Sequence, residues 1–546
     1  MAGSIIGIAG SGLNAQGGPP VVSHDIGNAS AEGVHRQHAV NGIVEPEQTG
    51  SAGASEGATA DIVRRAYSQF LDDSVLQAQA QSAGLDACNT HLRQLGNLLT
   101  VPAFSLSPAL RAFFSGVQDV ASHPASLPPR QQLLGLAQTL IASFETLGAR
   151  LSEMRRAFDR EVSDTVAEIN ALAEQLARIN DQIVRSSASG RGLPGDLLHR
   201  GESLVAQLNT LARVSAVRQS DGSVDLFIAD GRSLVLGPNA FLLAAAPSAE
   251  DPRDHCIFYV SSGIRIPLDP ASLQGGRLRG VFAFRSETLD PAQNQLGRIA
   301  VVLAHSFNDQ HRMGMDLQGD PGQDFFRVPL AGVLGNQDNT GTAVVAAENS
   351  NVGALTASDY RLQLNAGTWT LIRLTDNTQT IFTGFPQTVD GVTLTLGSGA
   401  AASGDSFLIR PTRNGARDIA LLTADAARIA AGAPGRYNAN GIYDNRNALP
   451  LAALQTRSTI GNGTANYLSA CGRIVEEVRN RAHAIEVQRK ARDALVKQAR
   501  ESRQALSGVN LAEEAANLIR HQQAYQASGK ALQAAAQLFD SVLEIA

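Results

Sequence analysis

Between Leu140 and Ile183 apolar residues recur at alternating intervals of four and three: Leu140, Phe144, Leu147, Leu151, Met154, Phe158, Val162, Thr165, Ile169, Leu172, Leu176, Ile179 and Ile183, with one slip at Val162. This period keeps one stripe of an α-helix turned toward a partner helix, whereas a strand would alternate every second residue. The segment therefore predicts one long packed helix. An earlier stripe through Leu71, Val75, Ala78, Ser82, Leu85, Cys88, Leu92, Leu95 and Leu99 predicts another, which Pro102 ends because proline lacks the donor that helix continuation needs. A second helix follows it.

Near the C-terminus the spacing returns through Leu511, Ala515, Leu518, Gln522, Tyr525, Gly529, Leu532, Ala536, Phe539 and Leu543. Gln522, Gly529 and the two alanines bury little area, so at about 25 cal/mol per Å² this helix is marginal by itself and requires partners. Upstream, Ile474, Val478, Ala482 and Ile485 open a further amphipathic helix, and Ser507-Gly508 marks the junction, so the chain ends in a helical pair.

The middle of the chain changes period. Tyr360-Arg-Leu-Gln-Leu364, Thr368-Trp-Thr-Leu-Ile-Arg-Leu374 and Val392-Thr-Leu-Thr-Leu396 alternate apolar and polar, separated by Asn365-Ala-Gly, Asp376-Asn and Asp390-Gly turn signals. They predict an antiparallel β domain inserted in a helical body. A smaller β meander is expected near 214–268, where Asp221-Gly and Asp230-Gly interrupt alternating segments.

Charge narrows the partners. With 45 Lys plus Arg against 51 Asp plus Glu, a net charge of -6 and no basic block, the chain offers nothing to neutralise phosphates, and no nucleic-acid partner is expected. No apolar run reaches the roughly 18 residues of a spanning helix, so no membrane insertion is expected. The first ten residues lack the charged start and apolar core of a secretory signal, being cut by Gly3, Gly7 and Gly10. Either the protein stays inside or another machine exports it.

Little in the chain points to chemistry. Gly10-Ser-Gly12-x-x-Ala15 approaches a dinucleotide fingerprint, but no strand precedes it and Gly17-Gly-Pro-Pro20 interrupts the helix that would hold pyrophosphate. Asp316, Asp320 and Asp324 stand at spacings of four, unlike the alternate-residue pattern of an EF-hand, so loop composition is the better account. The 11 histidines form no His-Glu-x-x-His pair. Cys88, Cys256 and Cys471 are dispersed, and Cys88 and Cys471 fall on or beside helical seams as small core residues. No catalytic, cofactor or metal residue is expected, and the chain reads as a non-enzyme.

The two ends of the chain carry a resemblance. Ser4-Ile-Ile-Gly-Ile-Ala-Gly-Ser-Gly-Leu-Asn-Ala15 and Asp25-Ile-Gly-Asn-Ala-Ser-Ala-Glu-Gly33 resemble the opening segments of the axial family of bacterial flagellar rod, hook and hook-associated proteins, although Gly17-Gly-Pro-Pro20 stands where that family continues its helix. Internal blocks are similar to its hook-associated branch: Ser122-His-Pro-Ala-Ser-Leu-Pro-Pro-Arg-Gln131, Gly275-Gly-Arg-Leu-Arg-Gly-Val-Phe-Ala-Phe-Arg285, Leu296-Gly-Arg-Ile-Ala300, Phe307-Asn-Asp-Gln-His311 and Gly404-Asp-Ser-Phe-Leu-Ile-Arg-Pro-Thr412. The fullest match is Ser507-Gly-Val-Asn-Leu-Ala-Glu-Glu514 followed by Asn517-Leu-Ile-Arg-His-Gln-Gln-Ala-Tyr-Gln-Ala527.

The resemblance implies an α+β multidomain protein with long coiled-coil-like helices from both chain ends, a helical bundle and an inserted antiparallel β domain. The expected domains are 1–60 with 507–546 as a terminal helical tube domain, 61–320 with 420–506 as a helical domain, and 321–419 as the outer β domain. It implies a structural junction protein joining hook to filament, exported unfolded by the flagellar type III system and assembling outside the cell. Its implied partners are hook protein, a second junction protein (hook-associated protein 3), further copies of itself in a ring-like oligomer, and a cytoplasmic export chaperone. Polymerisation is assigned to Ile6, Ala9, Leu13, Ile26 and Asn28 of the first helix. Polymerisation and chaperone binding fall to Leu511, Leu518, Tyr525, Leu532, Phe539 and Leu543 of the last. Another axial subunit, such as hook protein or a flagellin-like chain, is the alternative, as is a surface adhesin role for the outer domain.

Overall fold

The computed structural model describes residues 22–23, 27, 37–40, 62–65, 69–100, 105–188, 195–434, 443–507 and 511–545. Its longer helices are α1 (Gln69–Thr100), α2 (Leu106–Ser122), α3 (Leu127–Ala188), α4 (Gly195–Leu211), α5 (Gly276–Phe284), α6 (Asp290–Arg312), α7 (Tyr467–Ser507) and α8 (Leu511–Ile545). Every stripe read from the sequence lies on one of them. The 62-residue α3 covers the whole Leu140 to Ile183 repeat, and Leu140, Phe144, Leu151, Val162, Ile169, Leu176 and Ile183 are buried.

Contacts divide the chain into two compact units: residues 1–82, 172–240 and 491–546 form one, and residues 83–171 and 241–490 form the other. In the first, β1 (Gln37–Val40) pairs antiparallel with β2 (Ile62–Arg65). Strands β3 (Val214–Arg218), β4 (Val224–Ile228), β5 (Arg232–Leu236) and β6 (Asn239–Ala240) form an antiparallel sheet in sequence order. Asparagines pin this sheet to helices. The Asn180 side chain of α3 accepts the Val224 N–H at 3.0 Å and donates to the Val224 and Gly237 carbonyls at 2.9 Å, and Asn209 at the end of α4 accepts the Val214 N–H at 3.3 Å. Both are fully buried, and their amides supply the partners that buried backbone groups require.

In the second unit, helices surround one apolar core. Only 5% of the chain is aromatic, yet Phe113, Phe114, Phe144, Phe307, Phe325, Phe326 and Tyr467 all lie in this core. Phe307 sits 4.9 Å from Phe325 and 5.3 Å from Phe113, ring centre to ring centre, in tilted arrangements that favour aromatic packing. Glycines let helices approach: the backbone at Gly280 of α5 abuts Gly84 of α1, and Gly297 of α6 abuts Thr412 and Gly415.

Strands β7 (Leu242–Pro247), β8 (His255–Ser261) and β9 (Ile264–Leu268) make a three-stranded sheet in this unit, so the segment expected as one meander near 214–268 forms two separate sheets. The exposed edge of β7 is capped by Asn170 of α3, which bonds both the N–H and the C=O of Leu243. A two-stranded ribbon joins β10 (Phe326–Arg327) to β19 (Ala420–Leu421).

The inserted β domain contains β11 (Gly332–Gly335), β12 (Val345–Asn349), β13 (Tyr360–Asn365), β14 (Thr368–Arg373), β15 (Gln379–Phe382), β16 (Gln387–Val389), β17 (Val392–Leu396) and β18 (Ser406–Arg410). They form antiparallel sheets of order β11-β18-β13-β14-β15 and β12-β17-β16. Leu362, Leu364, Trp369, Leu371, Leu394, Phe407 and Ile409 fill the space within. The turn signals do the work read from them: Ala366-Gly367 and Asp390-Gly391 are two-residue loops with φ of 48° and 81° and of 51° and 81°, the left-handed pair that matches hairpin twist.

Candidate functional site

The helix α8 carries the candidate assembly residues. Glu513 and Glu514 in its first turn complement the positive end of the helix dipole. Its 35 residues extend about 52 Å at 1.5 Å per residue. Along its seam, Ala515, Gln522, Tyr525, Gly529 and Ala536 are exposed and Leu518 is half-buried. Tyr525 is 54% exposed, as is the neighbouring Ile519. Among the described seam residues, the four-three period that is buried on α3 is largely exposed on α8. The structure places α8 itself through Leu511, Leu532, Phe539 and Leu543, while the side-chain surroundings of these four, and all of Ile6, Ala9, Leu13, Ile26 and Asn28, lie outside the described residues.

The helix α7 precedes it. In the first unit, Ser82 of α1 donates to Asp493 of α7 at 2.6 Å and Arg503 pairs with Asp72 at 3.6 Å. In the second, Asn89 donates to Glu486 at 3.1 Å and Arg489 lies 3.5 Å from Asp86. Ile474, Val478 and Ile485 of α7 are buried, as their spacing predicts, while Val487 and Leu495 are exposed.

The groups considered for chemistry hold structure. Cys88 and Cys471 are buried, and burial pushes their thiols up to about 11 and about 12, away from the reactive thiolate. Asp316 accepts the Gln318 and Asp320 N–H groups at 2.8 and 2.9 Å, while Arg428 pairs with Asp320 at 2.6 Å and Asp316 at 3.3 Å. Asp324 pairs with Arg312. The acidic triplet is therefore split among arginines and backbone donors. A groove of about 280 Å³ is lined by Arg160, Glu161, Asp164, Thr165, Glu168 and Arg277, and the Thr165 hydroxyl is engaged with the Glu161 carbonyl at 2.7 Å.

Sequence reasoning missed a set of buried polar pins. Arg130 is buried and donates to the carbonyls of Pro124 at 2.8 Å, Ile429 at 2.6 Å and Ala426 at 3.3 Å. Burial pulls its guanidinium down to about 10. Asn308 accepts the N–H groups of Phe325 and Phe326 at 2.9 Å and donates to the Phe326 carbonyl at 2.7 Å. His311 bonds Gln323 O through Nδ1 at 2.6 Å and accepts the Ala430 N–H at Nε2 at 2.9 Å, which defines a neutral ring protonated on Nδ1. Burial lowers its pKa. A signal was present, because all three lie in blocks that carry the family resemblance.

Three family models align with the chain, and each describes flagellar axial components: "Flagellar hook-associated protein FlgK helical domain" over residues 92–326, "Flagellar hook-associated protein 1, D2-like domain" over 334–411, and "Flagellar basal body rod FlgEFG protein C-terminal" over 502–545. Flagellar hook-associated protein 1 of Salmonella typhimurium is 34% identical over 99% of this chain and 100% of its own length, and that of Escherichia coli K12 is 33% identical over the same shares. The solved flagellar hook junction protein FlgK from Burkholderia pseudomallei is 27% identical, covers 81% of this chain and 100% of its own, and superposes with a TM-score of 0.74. The chain belongs to the flagellar hook-associated protein 1 family.

Proposed function

We propose that this chain is a non-enzymatic adaptor of the bacterial flagellum that joins hook to filament. The observation that carries the reading is the exposure of the described seam residues of α8, a long helix on which Tyr525, Gln522 and Gly529 stand in solvent. A helix in that state gains by pairing, and the relatives of full length are flagellar hook-associated proteins. On this reading the terminal segments 1–60 and 507–546 pair and polymerise into the inner tube, through Ile6, Ala9, Leu13, Ile26 and Asn28 on one side and Leu511, Leu518, Tyr525, Leu532, Phe539 and Leu543 on the other. Residues 61–320 with 420–506 form the next shell, and 321–419 face outward.

The neighbours are hook protein below, hook-associated protein 3 above and further copies around a ring. Before assembly the chain leaves the cell through the flagellar type III system, with the α8 seam held by an export chaperone as an amphipathic helix in a groove.

Deleting the gene in its own bacterium tests the position: electron micrographs showing hooks without filaments, with flagellin shed as monomer, are expected, and attached filaments would refute it. Complementation with Leu518→Asp plus Leu532→Asp tests the helix. Loss of both chaperone capture and filament attachment is expected, and retained capture would overturn the assignment of these residues.

A further inference from the structure

The inserted β domain and the helical body of the second unit have distinct apolar cores that meet through Val301 and Val352, and beside that contact lies an ionic layer. Arg155 of α3 grips Asp254 through two bonds of 2.6 Å and also bonds Asp290 at the start of α6. Arg410, the last residue of β18, bonds Asp251, lies 3.0 Å from Asp254 and 3.6 Å from Asp359. Arg413, three residues on, bonds Asp359, reaches Asp290 at 3.1 Å and donates to Asn294 at 2.9 Å. Asn294 in turn donates to Asp359 at 3.0 Å. Arg285 adds a fourth cation, stacked 4.8 Å over the Phe158 ring. Four arginines thus face the carboxylates Asp251, Asp254, Asp290 and Asp359.

These groups come from both bodies. Asp359 and Arg410 belong to the β domain, Arg155 and Asp290 to the helices, and Asp251 and Asp254 to the loop between β7 and β8. Arg361 of β13 adds a pair with Glu250 of that loop at 2.6 Å. Among the described residues, Val301 of α6 is the body's fully buried contribution to the β-domain core. Apolar surfaces slide over one another at small cost, but bidentate guanidinium–carboxylate pairs hold one geometry. A layer of paired buried charges gains little stability over apolar residues of similar size, so its plainest yield is direction.

We infer that this Arg155–Arg410–Arg413 and Asp251–Asp254–Asp290–Asp359 layer is a rigid joint that fixes the angle of the inserted β domain on the helical body. The joint belongs to the chain itself and is tested on the isolated full-length protein, apart from any assembly. Spin labels go at Ile381→Cys, exposed on β15, and Glu153→Cys, exposed on α3, in a Cys256→Ser background. The charge-balanced variant Arg410→Met with Asp251→Asn removes one cation and one anion, and the Asn amide oxygen replaces the carboxylate oxygen with which Asp251 accepts the Arg253 N–H. A narrow distance distribution in the parent and one about twice as broad in the variant, with the melting profile retained, are expected. Arg410→Lys, which keeps charge but loses the fork, should fall between. An unchanged width in a folded variant overturns the joint. Loss of the β-domain fold in the balanced variant overturns it equally, since the layer would then be part of the core.

Discussion

Replacing Gly297 with alanine sets two effects of known size against each other. Gly297 lies inside α6, where alanine would favour the helix by about 1 kcal/mol. A Cβ at this position, however, falls 2.8 Å from the Thr412 carbonyl carbon, closer still to its oxygen, and 3.2 Å from the Gly415 nitrogen. Real Cβ atoms essentially never come within 3.0 Å, and 3.4–4 Å is ordinary contact. The obstacle is backbone, which cannot rotate aside as a side chain would, and the reciprocal Cβ on Gly415 would lie 2.9 Å from Gly297 Cα. Relief requires moving the 412–415 segment off α6, next to Arg413. Overpacking of this kind costs about 3 kcal/mol at the upper end of its range, leaving a net loss of about 2 kcal/mol. At about 2.1 cal/mol/K per residue, this unit of residues 83–171 and 241–490 unfolds with an entropy of about 0.7 kcal/mol/K, so the melting midpoint should fall by about 3 °C. Gly135→Ala in α3 is the control, because nothing lies within 4 Å of its Cβ. It should gain up to about 1 kcal/mol. Urea and thermal unfolding followed by far-ultraviolet circular dichroism, with hydrogen exchange at α6 amides, read both. A Gly297→Ala protein as stable as the parent would refute the close approach.

Other outcomes follow from the buried pins and turns. Arg130→Met should cost about 2–4 kcal/mol, because the Pro124, Ala426 and Ile429 carbonyls lose a charged donor inside the core; an unaltered urea midpoint would count against it. His311 has a pKa lowered from about 6.5 by burial, so the unfolded chain takes up a proton first and the native state loses stability as pH falls below about 6.5 toward the folded value. The slope from this residue is at most about 1.4 kcal/mol per pH unit, and His311→Gln should flatten the stability profile just below pH 6.5. Ala366→Asn should raise stability by about 0.5 kcal/mol, since Ala366 sits at φ 48° in an exposed hairpin loop that asparagine tolerates better; a lower melting temperature would oppose it.

Period was what the sequence displayed best. Stripes at four and three residues located α1, α3 and α7, and alternation with Asn365-Ala-Gly and Asp390-Gly located the hairpins, because both signals are local and repeat many times. Partners across long separations were not legible. Nothing near Arg410 indicates that it meets Asp251 and Asp254, and nothing near Asn180 indicates that it will hold Val224 and Gly237. The family blocks were read as marks of descent, and their physical content emerged only in three dimensions. Ser122 to Gln131 contains Arg130, Phe307 to His311 contains two polar pins, Leu296 to Ala300 contains the close-approach glycine, and Gly404 to Thr412 contains Arg410. Each is a residue whose substitution would strand a buried polar group or drive two backbones apart.

The comparison of α3 with α8 shows why period alone does not state function. Both carry the same repeat, but α3 fills its seam with Leu, Ile, Phe and Val and finds partners within the chain, so its seam is buried. The α8 seam alternates Leu518 and Tyr525 with Gln522 and Gly529, and most of its described side chains stay in solvent. Strengthening that seam would separate the two roles. Gln522→Leu with Gly529→Ala removes a helix-weakening glycine and adds apolar area, so α8 should become more helical in the isolated protein. If the seam is built to remain unpaired until other subunits cover it, the strengthened chain should self-associate before export and reach the culture fluid in smaller amounts. Unchanged secretion together with unchanged solution mass, despite a more helical α8, would show that the weakness of the seam serves no such delay.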